Sequence, residues 1–414
     1  METEIRKYLN NPAELETLYR NNKVIFKRSF DILYPDFKGN PITDCWNERL
    51  NYESSELNWG SKNELVFVII ASIIAGLIAK IPAIFNVNED YFYPRNIGFI
   101  VFPVLTIFFA WKNKLSIPKI GFIATATLLG LIFINSLPNV KQSDTLILSC
   151  IHLLLFLWSL LGIAFVGRET NDKHQRLAYL KYNGDLVVMT TLILIAGGIM
   201  SAVTVGLFGL IGIKIEDVYF QYVGVFGISA APIVGTYLVQ TNPQLVGKVS
   251  PVIAKIFSPL VLVMLVVYLV AMVYAGKNPY NDREFLLIFN ALLIGVLAII
   301  FFSIVETSKT TENVMAIWIL LLLAIITLIV NGVALSAIIF RIAEMGITPN
   351  RAAVLGSNIL ILINLLLVTT KLVKVLAKKA KINDVGKTIA SYLPVYFVWT
   401  IIITFIFPFI FSFK

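Results

Sequence analysis

The chain has 414 residues, 57% of them hydrophobic and only 14% charged, with a formal net charge of +9. Soluble domains carry roughly 25% charged residues, so a soluble globule and a disordered chain are both excluded, and the positive excess reads as basic loops at a membrane rather than a nucleic-acid footprint. Two cysteines, Cys45 and Cys150, and two histidines, His152 and His174, are too few and too scattered for a disulfide framework or a zinc site. No cofactor, metal or nucleic-acid partner is expected.

Residues 1–64 are polar. No apolar stretch of the secretory-leader kind follows Met1, so this region is expected to be a small cytoplasmic helical domain. Asn11-Pro12 precedes a helical pattern with Leu15, Leu18 and Tyr19 on one face, and Val24, Ile25, Phe26, Phe30, Leu33 and Tyr34 form a second. Two roles stay open for it, a solvated scaffold piece and a docking module for a cytoplasmic protein partner.

Residues 65–414 are expected to form an all-α, polytopic transmembrane helical bundle in contact with membrane lipids. Apolar runs fall at 65–86, 96–111, 120–137, 145–166, 185–213, 219–240, 251–275, 285–305, 314–340, 352–373 and 391–412. A helix needs about 20 residues to cross the hydrocarbon. That predicts about eleven spans, of which the second and third are short enough to be tilted or interfacial. Charge asymmetry agrees with an odd number. With a cytoplasmic N-terminus, the inner segments hold 24 of the 34 Lys and Arg and the outer segments hold 8. That distribution puts the C-terminus outside.

The fifth and sixth runs are rich in small residues, among them Gly197, Gly198, Gly227 and Gly235, with Pro232 inside the sixth. Close helix packing and a hinge lining a cavity are the two readings. Lys80, Lys255 and Glu306 lie near run ends, where their side chains can reach an interface. Asn135, His152, Asn290, Asn331, Arg341, Glu344 and Asn358 fall in, or at the edge of, the outer half of their runs, while Asn364 and Thr369-Thr370 lie deeper. Either a shared outward-facing polar cavity or separate interhelical hydrogen bonds would explain them.

Charge and turn signals concentrate in Asn331–Arg351. As one helix, 314–346 would extend about 50 Å, so it either projects beyond the hydrocarbon or breaks at Asn331-Gly332. Arg341 and Glu344 share a helix face and can pair. Gly346 suits a helix C-terminus, and Thr348 or Asn350, with Pro349, can start the next helix. Arg351 opposes the dipole of that helix, so it is expected to meet an anion, Glu344 or a lipid phosphate or ligand carboxylate. The alternative is a clamp between two helices.

Arg341–Arg351, read as R-I-x-E-x-G-x-T-P-N-R, resembles the signature of a bacterial family of polytopic membrane proteins that carry a domain of unknown function. Gly206–Gln240 and Leu15–Arg20 are similar to that family as well. The resemblance implies a multi-pass inner-membrane protein and brings no catalytic role.

A transporter or permease-like protein with an outward-facing polar cavity is the leading expectation. A non-transporting scaffold or signalling subunit that docks a partner through its N-terminal region is the alternative. A membrane enzyme acting on a lipid head group ranks last, because only His152, Glu344, Arg341 and Arg351 could supply its acids and bases.

Overall fold

A computed structural model describes residues 2–51, 60–140, 143–167, 172–210, 214–243, 283–307 and 314–413, with a few positions between 258 and 270. Every regular element among the described residues is a helix, and the chain divides into compact units at 1–58 and 59–414.

The first unit holds α1 (Glu2–Lys7), α2 (Pro12–Asn21), α3 (Lys23–Phe37) and α4 (Pro41–Asn51). Asn11 and Asn22 cap α2 and α3 by accepting from the amides of Glu14 and Ile25, which satisfies donors that a helix start leaves free. Ile5, Leu15, Phe26, Phe30, Leu33 and Trp46 form its core. Glu16 is held by Arg20 and Arg49.

The second unit holds α5 (Lys62–Ala79), the short α6 (Ile81–Phe85), α7 (Glu89–Lys112), α8 (Ile117–Ser136) and α9 (Asp144–Val166). There follow α10 (Lys173–Leu210), α11 (Glu216–Thr241), α12 (Arg283–Thr307), α13 (Val314–Met345), α14 (Pro349–Leu376) and α15 (Ile382–Ile410). Nine described helices are long and apolar enough to cross a membrane, and α12 contributes a shorter apolar stretch at Leu293–Val305. Their outer faces carry half-exposed Ile69, Ile73, Leu129, Ile132, Leu322, Ile329 and Leu366, side chains that water would not tolerate and lipid does. The chain is an integral, multi-pass membrane protein. The seventh apolar run, with Lys255, lies largely outside the described residues.

Several expected boundaries move. The second run begins at Glu89, capped by Asn88, and makes a full 24-residue span rather than an interfacial piece; the third is a 20-residue span. The expected loop at 167–184 is helical from Lys173. Its Leu177, Tyr179 and Tyr182 are buried, and Tyr179 donates to the Trp158 carbonyl at 2.6 Å. The last helix starts at Ile382 rather than near 391. A wide π-helical turn at Phe220–Gly224 interrupts the sixth run ahead of Pro232. The small residues divide: a Cβ on Gly235 would meet Thr190 Oγ1 at 2.9 Å, whereas Gly197, Gly198 and Gly227 face open space. Lys80 lies at the end of α5 with its ammonium over the Tyr222 ring.

Two apolar cores organise the bundle. One joins α5, α7, α8, α9, α10 and α11 around Phe99, Phe108, Phe109, Leu157 and Tyr182. The other joins α12, α13, α14 and α15 around Ile300, Leu323, Leu365 and Val385, with Val261 and Leu265. Leu148 of α9, Ala353 of α14 and Phe407 of α15 pack together, and Ser143 Oγ donates to the Phe413 carbonyl at 3.0 Å. The start of α9, the start of α14 and the end of the chain therefore share one face of the bundle.

Candidate functional site

The motif that dominates the sequence is a helix–turn–helix junction on that face. Gly346, at φ +74°, ends α13, and its N–H donates to the Ile342 carbonyl at 2.9 Å, the left-handed terminus that glycine adopts without a Cβ clash. Thr348 is the cap of α14, accepting from Arg351 N, and buried Pro349 fills the first turn; Asn350 follows half-buried. Among the described residues no carboxylate pairs with Arg351. Its Nη1 donates to the Met345 and Gly346 carbonyls at 2.9 and 2.7 Å, and Nη2 approaches Met345 Sδ at 3.3 Å. A cation thus sits on the carbonyl end of α13, where the dipole favours it, and a cap stands where pairing with Glu344 was expected. The Arg341–Glu344 pair does not form either. Arg341 is buried and Glu344 exposed, and neither side chain has a hydrogen-bond or ion-pair partner among the described residues. The clamp reading accounts for Arg351, Thr348 and Pro349.

The polar interior lies further down, between α12, α13, α14 and α15. The helix α13 runs unbroken through Asn331-Gly332, so it projects rather than breaks. Asn331 lies about 25 Å from its start and about 21 Å from its end, at mid-depth. Its side chain is 0% exposed, and neither Oδ1 nor Nδ2 has a partner among the described residues. An antiparallel neighbour, α14, brings Asn364 to about 22 Å from the same turn, hence to the same level. Asn364 Nδ2 donates to Tyr396 Oη of α15 at 3.0 Å, while its buried Oδ1 has no partner. Nearer the turn, Asn358 Nδ2 donates to Asn290 Oδ1 of α12 at 2.8 Å. On the other side of mid-depth, Thr369 Oγ1 is buried without a partner. Four helices therefore contribute amide and hydroxyl groups to one apolar core, and the carboxamide at its centre is unsatisfied. Such a group costs about 1–3 kcal/mol when buried. The array can accept and donate hydrogen bonds to a polar guest, and among the described residues that form it there is no carboxylate, imidazole or thiol.

His152 belongs to neither group. It is half-buried on α9, with Nδ1 2.9 Å from the Leu148 carbonyl. Asn135 of α8 forms a reciprocal amide pair with Asn96 of α7, at 2.9 and 3.0 Å, an interhelical lock of the bland kind. Among the described residues no group of three or more His, Cys, Asp or Glu could hold a metal.

Sequence reasoning missed Tyr396 as the partner of Asn364, and Asn96 as the partner of Asn135. Neither had a local signal, since the partners lie 32 and 39 residues apart. No protein-family model matches the chain, and no curated protein or solved structure matches it.

Proposed function

We propose that the protein is a permease-like carrier or channel for a small polar solute, resident in a bacterial inner membrane with its N-terminus cytoplasmic and its C-terminus outside. The observation that carries this is Asn331, a carboxamide at mid-depth of the bundle with both polar atoms unpaired. Polar groups inside a membrane are expensive and mark solute paths by default. Asn364 and Thr369 add unpaired oxygens near the same level, so a hydrated guest passing between α13 and α14 would meet several acceptors in succession. Among the described residues the amides and hydroxyls at this level have no carboxylate beside them, which supports passive or solute-driven movement. The excess of Lys and Arg in the inner segments supports the orientation.

The test is flux in proteoliposomes. Stopped-flow swelling with water, glycerol, and potassium and sodium salts should show at least one permeant above empty vesicles, and Asn331→Leu should abolish it. Equal rates for wild type, variant and empty vesicles would remove the proposal.

A second reading, a scaffold that docks a partner through the first unit, has its own observation. Ile25 and Ile32 are half-exposed and seven residues apart on α3, hence on one face. Loss of a cross-linked partner in the Ile25→Ser, Ile32→Ser full-length variant would favour it.

A further inference from the structure

The opening turns of α7 hold a buried charge that solute passage through α13 and α14 does not use. Arg95 is 3% exposed. The Tyr91 ring covers one face of its guanidinium, with Cζ 4.1 Å from the ring centroid. Nη1 donates to the Tyr91 carbonyl at 3.3 Å and Nη2 to Asn139 Oδ1 at 3.4 Å, both long beside the ~2.7–2.9 Å of a charge-assisted bond. Nε has no partner. A guanidinium offers five N–H donors and cannot shed its proton. Among the described residues no carboxylate pairs with it. Asp90 shares the same cavity as an exposed rim residue, and neither it nor the other acids in the first turns of α7 and α9 forms an ion pair with Arg95.

Arg95 faces a cavity of about 440 Å³ between α7, α9 and the residues Asn139, Val140 and Ser143. Ser143 and Asn139 line its polar end. Both helices, of 24 and 23 residues, begin beside it, and helix starts carry partial positive charge. The rest of the wall is apolar. Ile97, Ile147 and Ile151 line it and are also half-exposed on the outside of the bundle. The cavity therefore opens along its apolar wall toward the acyl region, while exposed Asp90, Asn139 and Val140 mark its outer end. A buried cation without an ion pair costs several kcal/mol, and an anionic group entering along the apolar wall would offset that cost.

We propose that this cavity binds the oxyanion head of an anionic amphiphile, its phosphate or carboxylate seated on Arg95 and its chain lying along Ile97, Ile147 and Ile151. The observation is the juxtaposition of an unsatisfied, buried guanidinium with a cavity that is polar at one end and lipid-open at the other. The site stands apart from solute passage, so each claim survives failure of the other.

The experiment uses the full chain in nanodiscs and in detergent. Native mass spectrometry after delipidation and titration with phosphatidylglycerol or phosphatidylcholine reads bound lipid; a parallel titration with inorganic phosphate in lipid-free micelles reads the free anion. Wild type should retain phosphatidylglycerol over phosphatidylcholine, and Arg95→Gln should weaken that retention about tenfold or more, the size of one lost charge-assisted contact. Because Arg95→Gln changes a buried group, Ile147→Trp is the second variant; it keeps the charge and fills the lipid-open mouth, and should weaken lipid retention likewise. Binding of inorganic phosphate that is lost in Arg95→Gln and kept in Ile147→Trp would place a free oxyanion at Arg95 and overturn the lipid assignment. Equal retention by wild type and both variants would overturn the site altogether.

Discussion

Replacing Asn331 by Leu separates an unpaired interior amide from a structural one. Leucine has the same branching, with two methyls in place of the amide nitrogen and oxygen. Both of those atoms are fully buried without partners, against a core that includes Val330 and Ala334. Relieving the unsatisfied group is worth about 1–3 kcal/mol, offset in part by the larger methyls. The variant should therefore be more stable than wild type by about 1–2 kcal/mol while losing solute flux, a trade that functional sites show repeatedly. Asn358→Leu is the matched control. It withdraws the 2.8 Å donor from Asn290, and interhelical bonds in membranes average about 0.6 and reach about 1.7 kcal/mol, so it should be destabilised. Equilibrium unfolding in mixed micelles measures both. If Asn331→Leu loses 1 kcal/mol or more, the amide has a structural partner and the reasoning fails.

Further outcomes follow from other contacts. Gly356→Ala would put a Cβ 2.2 Å from the Trp399 ring and displace the indole whose Nε1 donates to Ser357 Oγ at 2.9 Å; a loss of about 1–3 kcal/mol should accompany a shift in tryptophan emission, and unchanged emission would contradict the packing. Arg351→Ala should uncap α13 and cost about 0.3–1 kcal/mol, read as faster hydrogen exchange at 342–346 with no change elsewhere. In the first unit, hydrogen bonding from Arg20, then from Arg49, with the charges of both, holds the Glu16 carboxyl below its ordinary 4.5. Its folded pKa lies below the unfolded one, so its contribution is complete above about 4.5 and is lost as pH falls through the depressed value. Limited proteolysis of the full chain below pH 4.5 should open residues 2–51 in wild type, and Glu16→Gln should remove that pH step.

The apolar runs made the bundle legible, because 20-residue hydrophobic stretches have few other uses. The α13–α14 turn was legible too, since Gly346, Thr348 and Pro349 each suit one position by backbone chemistry. What hydropathy obscured was the start of α10. Lys173–Tyr182 carries charges that resemble a loop, yet Tyr179 and Tyr182 pack into the first core while Leu177 packs with Val305 and Ala390 on another side. By hydropathy Arg95 falls just before the second apolar run, although Asn88 ahead of Glu89 is a cap signal that extends the helix through it. The pairing of Asn290 with Asn358 had no local trace, because the two are 68 residues apart. At Arg351 the dipole of its own helix is only half the account, because the guanidinium also caps the carbonyl end of the helix before it.

The central claim is that the Asn331 level, closed in this structure with its side chain 0% exposed, opens to water during passage of a solute. In a chain with Cys45 and Cys150 replaced by Ser, Asn331→Cys in intact vesicles can be exposed to a small, membrane-impermeant charged methanethiosulfonate reagent. The account predicts time-dependent modification in the intact membrane, slowed by a permeant solute. Modification seen only after denaturation would place Asn331 in a sealed core and contradict it.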